Sequence, residues 1–184
     1  MNPLFEPLTD AELDSVTAGT LVIGDAASGS ITVSAALSRP AGTDVELTTG
    51  GSIIFNSGLD TGGGALLLTP GATGSVQPQA AGADATATGN AASFAPGSVL
   101  EIGIAGTTID SQYDQLNVVG AVDLNGTALD LTGSYTSAPG DAFTIVSATS
   151  VAGTFNGWEN APFFRSGRSR DRPTTSTCSC GPSC

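Results

Sequence analysis

The sequence has no histidine and no lysine, a single tryptophan, and only three cysteines, all in its last seven residues. Without histidine, Ser-His-Asp catalysis is excluded. With Cys178, Cys180 and Cys184 at one end, residues 1–177 hold neither a disulfide nor a thiolate metal centre. Charged residues make up 12% of the chain and aromatics 5%, which argues against long surface helices rich in Glu, Lys and Arg. No apolar run approaches the roughly 18 residues needed to span a bilayer. No basic segment followed by an apolar stretch is present, so no Sec-type signal peptide is expected. Bases are scarcest of all: Arg39 stands alone against 16 acids in residues 1–164. Such a body cannot neutralise phosphates, so neither nucleic acid nor anionic lipid is expected as a partner, and the acidity reads as a solubility device.

What remains is a chain of Gly, Ala, Ser, Thr, Val and Leu, with 25 glycines in 184 residues. This mixture suits short strands joined by tight turns. The triplet Gly-Ser-(Ile/Val) recurs at Gly29, Gly51, Gly74 and Gly97, at steps of 22, 23 and 23 residues, and Gly120-Ala121-Val122 reads as a weakened fifth copy. Within the units, Ile31/Val33, Val45/Leu47, Ile53/Phe55 and Leu66/Leu68 alternate with small or polar residues, the period of a strand. Turn signals separate the strands at Arg39-Pro40-Ala41-Gly42, Thr61-Gly62-Gly63-Gly64, Asn125-Gly126 and Ala138-Pro139-Gly140. One such unit, burying about five side chains at roughly 2 kcal/mol each, cannot offset an ordering cost of roughly 1–2 kcal/mol per residue. The units must therefore stack and share a core. The prediction is an all-β chain, a right-handed parallel β-helix (β-solenoid) of coils of about 22 residues over 20–157, with a short N-terminal helix and a disordered C-terminal tail. Residues 77–92, which carry Pro78 and no large apolar side chain, are expected to form a loop-like excursion.

The helix signal lies between Leu8 and Gly19. Thr9 is placed as N-cap, Glu12 completes a capping box, Leu8 and Leu13 are spaced for a hydrophobic staple, Leu13 and Val16 share a face, and Gly19 is expected to end the helix. The pattern at Leu8, Thr9, Glu12, Leu13, Val16 and Gly19 resembles double-glycine export leaders, with Ala18 departing from the usual glycine. That resemblance covers 1–19. It implies recognition by the peptidase domain of an ABC exporter through Glu12, Leu13 and Val16, with cleavage after Gly19. The alternative is a capped helix that covers the first coil.

A second resemblance rests on Tyr113-Asp114-Gln115-Leu116-Asn117-Val118, followed by Gly120-Ala121-Val122-Asp123-Leu124-Asn125-Gly126 and Ala128-Leu129. This stretch resembles autotransporter-associated β-strand repeat proteins, and residues 29–71 are similar to filamentous-haemagglutinin-type repeats. Together these imply a secreted or cell-surface structural element with no shared catalytic residues. A carbohydrate- or cell-binding adhesin fragment, using Trp158 or Tyr113 to stack on a sugar, is the alternative function.

Other candidate chemistry is thin. Asp60-Thr61-Gly62 matches the aspartic-protease triplet, but that mechanism needs a second carboxylate, and the triplet falls where the repeat places a turn. Asp110, Asp114, Asp123, Asp130 and Asp141 carry oxygens suited to calcium, yet their isolated spacing suits solvated strand faces. No catalytic residue, metal site or cofactor is therefore expected. Beyond Gly157 the strand period stops. Residues 158–184 carry Arg165, Arg168, Arg170, Arg172 and all the cysteines, and read as a structureless tail, foreign to the body and consistent with an altered reading frame.

Overall fold

The computed structural model describes residues 8–78, 91–109, 111–124, 126–138 and 140–156, together with the backbone of 86–90, 164–167 and 174–179. After a short helix, α1 (Asp10–Asp14), the chain winds through strands that pair in parallel with those one turn away. The first winding is β1 (Thr20–Ile23), β2 (Ile31–Val33) and β3 (Leu37–Ser38); the second is β4 (Asp44–Thr48), β5 (Ile53–Phe55) and β6 (Leu59–Asp60). Next come β7 (Ala65–Thr69), β8 (Val76–Pro78) and the long β9 (Thr86–Phe94), then β10 (Val99–Gly103), β11 (Leu116–Asp123), β12 (Ala128–Thr132) and β13 (Ala142–Ala152). The result is a β-solenoid with three walls.

One wall stacks β1, β4 and β7 and continues through the C-terminal halves of β9, β11 and β13. A second stacks β2, β5, β8, β10 and β12. The third stacks β3 on β6 and continues through the N-terminal halves of β9, β11 and β13. The last three strands therefore turn a corner between two walls without leaving the ladder. In β11 the corner falls at Gly120, with φ +146°, where the register shifts.

Alternation sets the burial. In β4 and β7 every second residue faces the core, placing Val45 and Leu47 over Leu66 and Leu68, each at most 2% exposed. Apolar side chains thus stack on their counterparts a turn away, and the interior is one continuous cluster running from Val33 to Phe155.

The recurrent serine has its own role. The Ser52 N–H donates to Ser30 Oγ at 3.1 Å, and the Ser75 N–H to Ser52 Oγ at 3.1 Å, a ladder of hydroxyls climbing the corner. The fourth triplet leaves this ladder. Ser98 Oγ donates instead to the Ala95 carbonyl at 2.7 Å, inside a turn with Gly97 at φ +83°. The core stack consequently runs Ile31, Ile53, Val76, Leu100 and Leu129, at intervals of 22, 23, 24 and 29 residues. Leu100 is fully buried, whereas Val99 is only half-buried. A constant step of about 22 residues thus holds for the first windings only. Gly120-Ala121-Val122 is the corner of β11 rather than a fifth copy; the true counterpart of Gly97-Ser98-Val99 is Gly126-Thr127-Ala128. Glycine at the turn recurs in both, at φ +83° and +78°.

The excursion expected over 77–92 does not extend over its described parts. Gln77 and Pro78 pair with Ile54 and Phe55, and 86–92 pair within β9. Pro78 is tolerated because β8 meets β10 only at Val76, so the side where its N–H is missing has no ladder to lose. The lack of large side chains reflects a thin layer: Ala92, 2% exposed, lies between Leu66 and Val122. Residues 79–85 lie outside the described residues.

Of the tail, where no regular structure is expected, the described backbone forms β14 (Phe164–Gly167) and β15 (Thr174–Ser179), antiparallel to one another, with β15 also antiparallel to β13. Trp158, Arg168, Arg170, Arg172, Cys180 and Cys184 lie outside the described residues.

Candidate functional site

Residues 8–19 carry most of the sequence-derived site, and they fold onto the open end of the solenoid. The capping box forms as expected: the Glu12 N–H donates to Thr9 Oγ1 at 3.3 Å, and Glu12 Oε2 accepts the Thr9 N–H at 2.8 Å. The Thr9 N–H foremost, and then the Thr9 hydroxyl, which donates to the same Glu12 Oε2 at 2.8 Å, hold the Glu12 carboxyl below its ordinary range. The helix is shorter than expected. Ser15, not Gly19, is its C-cap, and the Ser15 hydroxyl donates to the Glu12 carbonyl at 2.6 Å. A serine bonding its own backbone in this way competes with helix continuation, and the β-branched Val16 and Thr17 that follow add to the bias. Gly19 instead leads into β1, its carbonyl accepting the Asp44 N–H at 2.9 Å.

Three contacts dock this segment. Asp10 Oδ1 accepts the Ser38 N–H at 2.7 Å. Arg39 Nη1 lies 3.3 Å from Asp14 Oδ1, and Nη2 donates to the Val16 carbonyl at 3.0 Å. Leu13, 6% exposed, is buried from above. Leu8, Glu12, Val16 and Gly19 are exposed and Ala18 is half-buried. The leader-like residues therefore divide: Leu13 is built into the solenoid end, whereas Glu12, Val16 and Gly19 are exposed, the carbonyl of the bond after Gly19 being engaged by the Asp44 N–H. Leu13 and Val16 do not share a buried face, because the helix ends between them. Sequence reasoning placed Arg39 at a turn and missed its pairing. The available signal was its isolation: a lone base in an acidic, apolar body is either exposed or paired, and this one has a side chain only 1% exposed.

Beneath the docked segment lies a cavity of about 350 Å³. Leu8 and Leu13 roof it, apolar residues of β1, β2 and β3 wall it, and Val45, Leu47 and Leu59 of the next winding form its floor. Arg39 also lines it.

The other candidates are dispersed. Asp60-Thr61-Gly62 is a turn: Asp60 Oδ1 accepts the Gly62 N–H at 2.8 Å, and Thr61 Oγ1 donates to the Gly64 carbonyl at 2.7 Å. Asp114 accepts the Gly103 N–H at 2.7 Å. Asp141 accepts the Ala138 N–H and the Tyr135 hydroxyl, each at 2.7 Å. Asp123 and Asp130 are exposed on β11 and β12; Asp110 lies outside the described residues. No group of three or more His, Cys, Asp or Glu suited to a metal ion occurs among the described residues. Tyr113, 5% exposed, packs edge-on against Phe143 at 5.2 Å and so offers no face to a sugar. No described helix is long and apolar enough to cross a membrane.

Comparison of the chain with known protein families, curated proteins and solved structures gives no match.

Proposed function

We propose that this chain is a non-enzymatic structural β-solenoid, secreted or displayed at the cell surface, and that residues 1–19 are an export leader read by the peptidase domain of an ABC exporter. The observation that carries the first part is the continuous interior: apolar side chains stack wall by wall, and the described carboxylates spread over turns and strand faces. Such a body is suited to present an elongated surface. Support for the leader is the solvent-facing placement of Glu12, Val16 and Gly19. Recognition of Leu13 by a peptidase would require the segment to leave the solenoid end, so processing belongs before folding is complete. The glycan-binding alternative loses Tyr113 to the core and rests on Trp158, outside the described residues.

The test is co-expression with a peptidase-containing ABC exporter and mass spectrometry of the exported product. A product beginning at Thr20 is expected. A product that keeps Met1–Gly19, or retention of the chain inside the cell, would overturn the leader and leave α1 as a permanent cap.

A further inference from the structure

The first winding is less buried than the one beneath it, even with α1 in place. Leu21, Ile23, Ile31 and Leu37 face inwards yet are only half-buried, whereas the residues they stack on in β4, β5 and β6 are at most 3% exposed. Among the described residues, β1, β2 and β3 each pair on one side only. In β2 the Ile31 N–H and the Val33 carbonyl bond to the second winding, so the Thr32 amide between them points away from it. The Ser38 amide does the same in β3, where Asp10 satisfies it. The far end of the stack is different: there β15 of the same chain runs antiparallel along β13, on the side away from β11.

We propose that the N-terminal end is a self-association site, shielded by α1 before cleavage and covered by a second copy of the chain afterwards. This rests on the leader reading, under which the mature chain starts at Thr20, the first residue of β1. Shape, topology and charge choose the occupant. A half-covered winding is best covered by another of the same girth, and the same end of a second copy is one. Two such ends meet about a two-fold axis with their strands antiparallel, the pairing that β15 already makes on β13. Because β15 occupies that far edge, stacking in one direction into a filament is obstructed, and the contact closes at two copies. The leader carries four acids, Glu6, Asp10, Glu12 and Asp14, and no base. Two uncleaved ends therefore repel, and cleavage removes that repulsion together with the roof.

The full chain is given a site-specific protease site between Gly19 and Thr20, cut after folding and freed of the released segment. Its mass is followed by sedimentation over about 1–300 µM, the range suited to a small, transient interface. The uncut chain is expected to stay monomeric, and the cut chain to rise towards twice the monomer mass. At the lowest concentrations the bare end stays open to solvent. Leu13→Asp, which undocks the segment without removing it, is expected to associate likewise. Thr32→Pro deletes an outward amide, keeps the Ile31 and Val33 bonds to the second winding, and abolishes association. In the associated cut chain, hydrogen exchange at the Thr32 amide is expected to slow at least about tenfold. A cut chain that stays monomeric overturns the proposal, as does an uncut chain that associates equally well or an unchanged Thr32 amide. If either variant fails to fold, the cut chain and its Thr32 exchange decide. The leader reading fails separately: an exported product that keeps Met1–Gly19 removes the trigger, whereas a monomeric cut chain leaves that reading standing and sinks the dimer alone.

Discussion

The carboxylate of Asp10 accepts the backbone N–H of Ser38 at 2.7 Å, across 28 residues of chain. Ser38 lies on β3, whose neighbouring amides, Leu37 and Arg39, bond to Gly58 and Asp60 of the following winding. The Ser38 N–H points the other way, to where a preceding winding would lie, and Asp10 occupies that place. An edge strand left bare invites pairing with another chain; here a side chain satisfies part of it. Asp10→Ala is expected to speed hydrogen exchange at the Ser38 amide by about tenfold, the equivalent of roughly 1 kcal/mol, and to leave the Arg39 amide unchanged. Equal acceleration at both amides would show that Asp10 acts through global stability instead.

Truncation to Thr20 removes Leu13 from above the cavity and both partners of Arg39. The shortened chain is expected to keep its β-sheet circular dichroism, melt at a lower temperature and bind an apolar dye such as ANS more strongly. Unchanged melting and dye binding would mean that the docked segment contributes nothing to the folded end.

The register of the fourth winding gives a sharper contrast. Leu100 is fully buried over Val76, with Val99 beside it half-buried. Leu100→Ala should cost about 2–5 kcal/mol and Val99→Ala under about 1.5 kcal/mol in denaturant unfolding. A larger loss at Val99 would restore the register implied by the repeated triplet.

Glycine matters here through proximity more than through dihedral freedom. A Cβ on Gly74 would meet the Gly51 carbonyl oxygen at 2.0 Å, backbone against backbone, whereas at Gly29 it would meet nothing within 4 Å. Gly74→Ala is expected to destabilise by at least about 2 kcal/mol, and Gly29→Ala to stay within about 0.5 kcal/mol. Similar melting temperatures for the two variants would contradict this close approach of adjacent turns.

Asp141 is held below the ordinary carboxylate range, first by the Ala138 N–H and then by the Tyr135 hydroxyl. A carboxyl with a depressed folded-state pKa stabilises the fold above its unfolded value, near 3.8, and that contribution is lost as pH falls through the lower folded value. Tyr135→Phe should therefore raise the Asp141 pKa towards the ordinary range, as followed by the carboxyl carbon shift in an NMR titration. An unmoved titration midpoint would mean that the backbone bond alone sets it.

Stacking was legible because strand alternation and the Gly-Ser triplet both repeat at the spacing of one turn. The triplets at Gly29, Gly51 and Gly74 mark real equivalence, since their serines bond one another. The triplet at Gly97 misleads by one residue because the same three letters also make a good turn, and a strand slipped by one residue exposes its other face. Pro78 and the alanines of β9 suggested a loop because sequence cannot reveal that Pro78 has a neighbour on one side only, or that the layer at Ala92 is thin. The capping box was readable because it is local. Docking of that helix on Arg39 and Ser38 was not, because it joins positions 28 and 25 residues apart.

The lengthening interval from Ile31 to Leu129 bears on how the chain finds its partners. Windings of equal perimeter are interchangeable, and a folding chain can slip by a whole turn and lose only its end contacts. Here a slipped alignment would leave surplus chain on one turn and too little on the next. Unequal girth therefore works as a key, admitting one alignment and giving the stack a distinguishable head and foot.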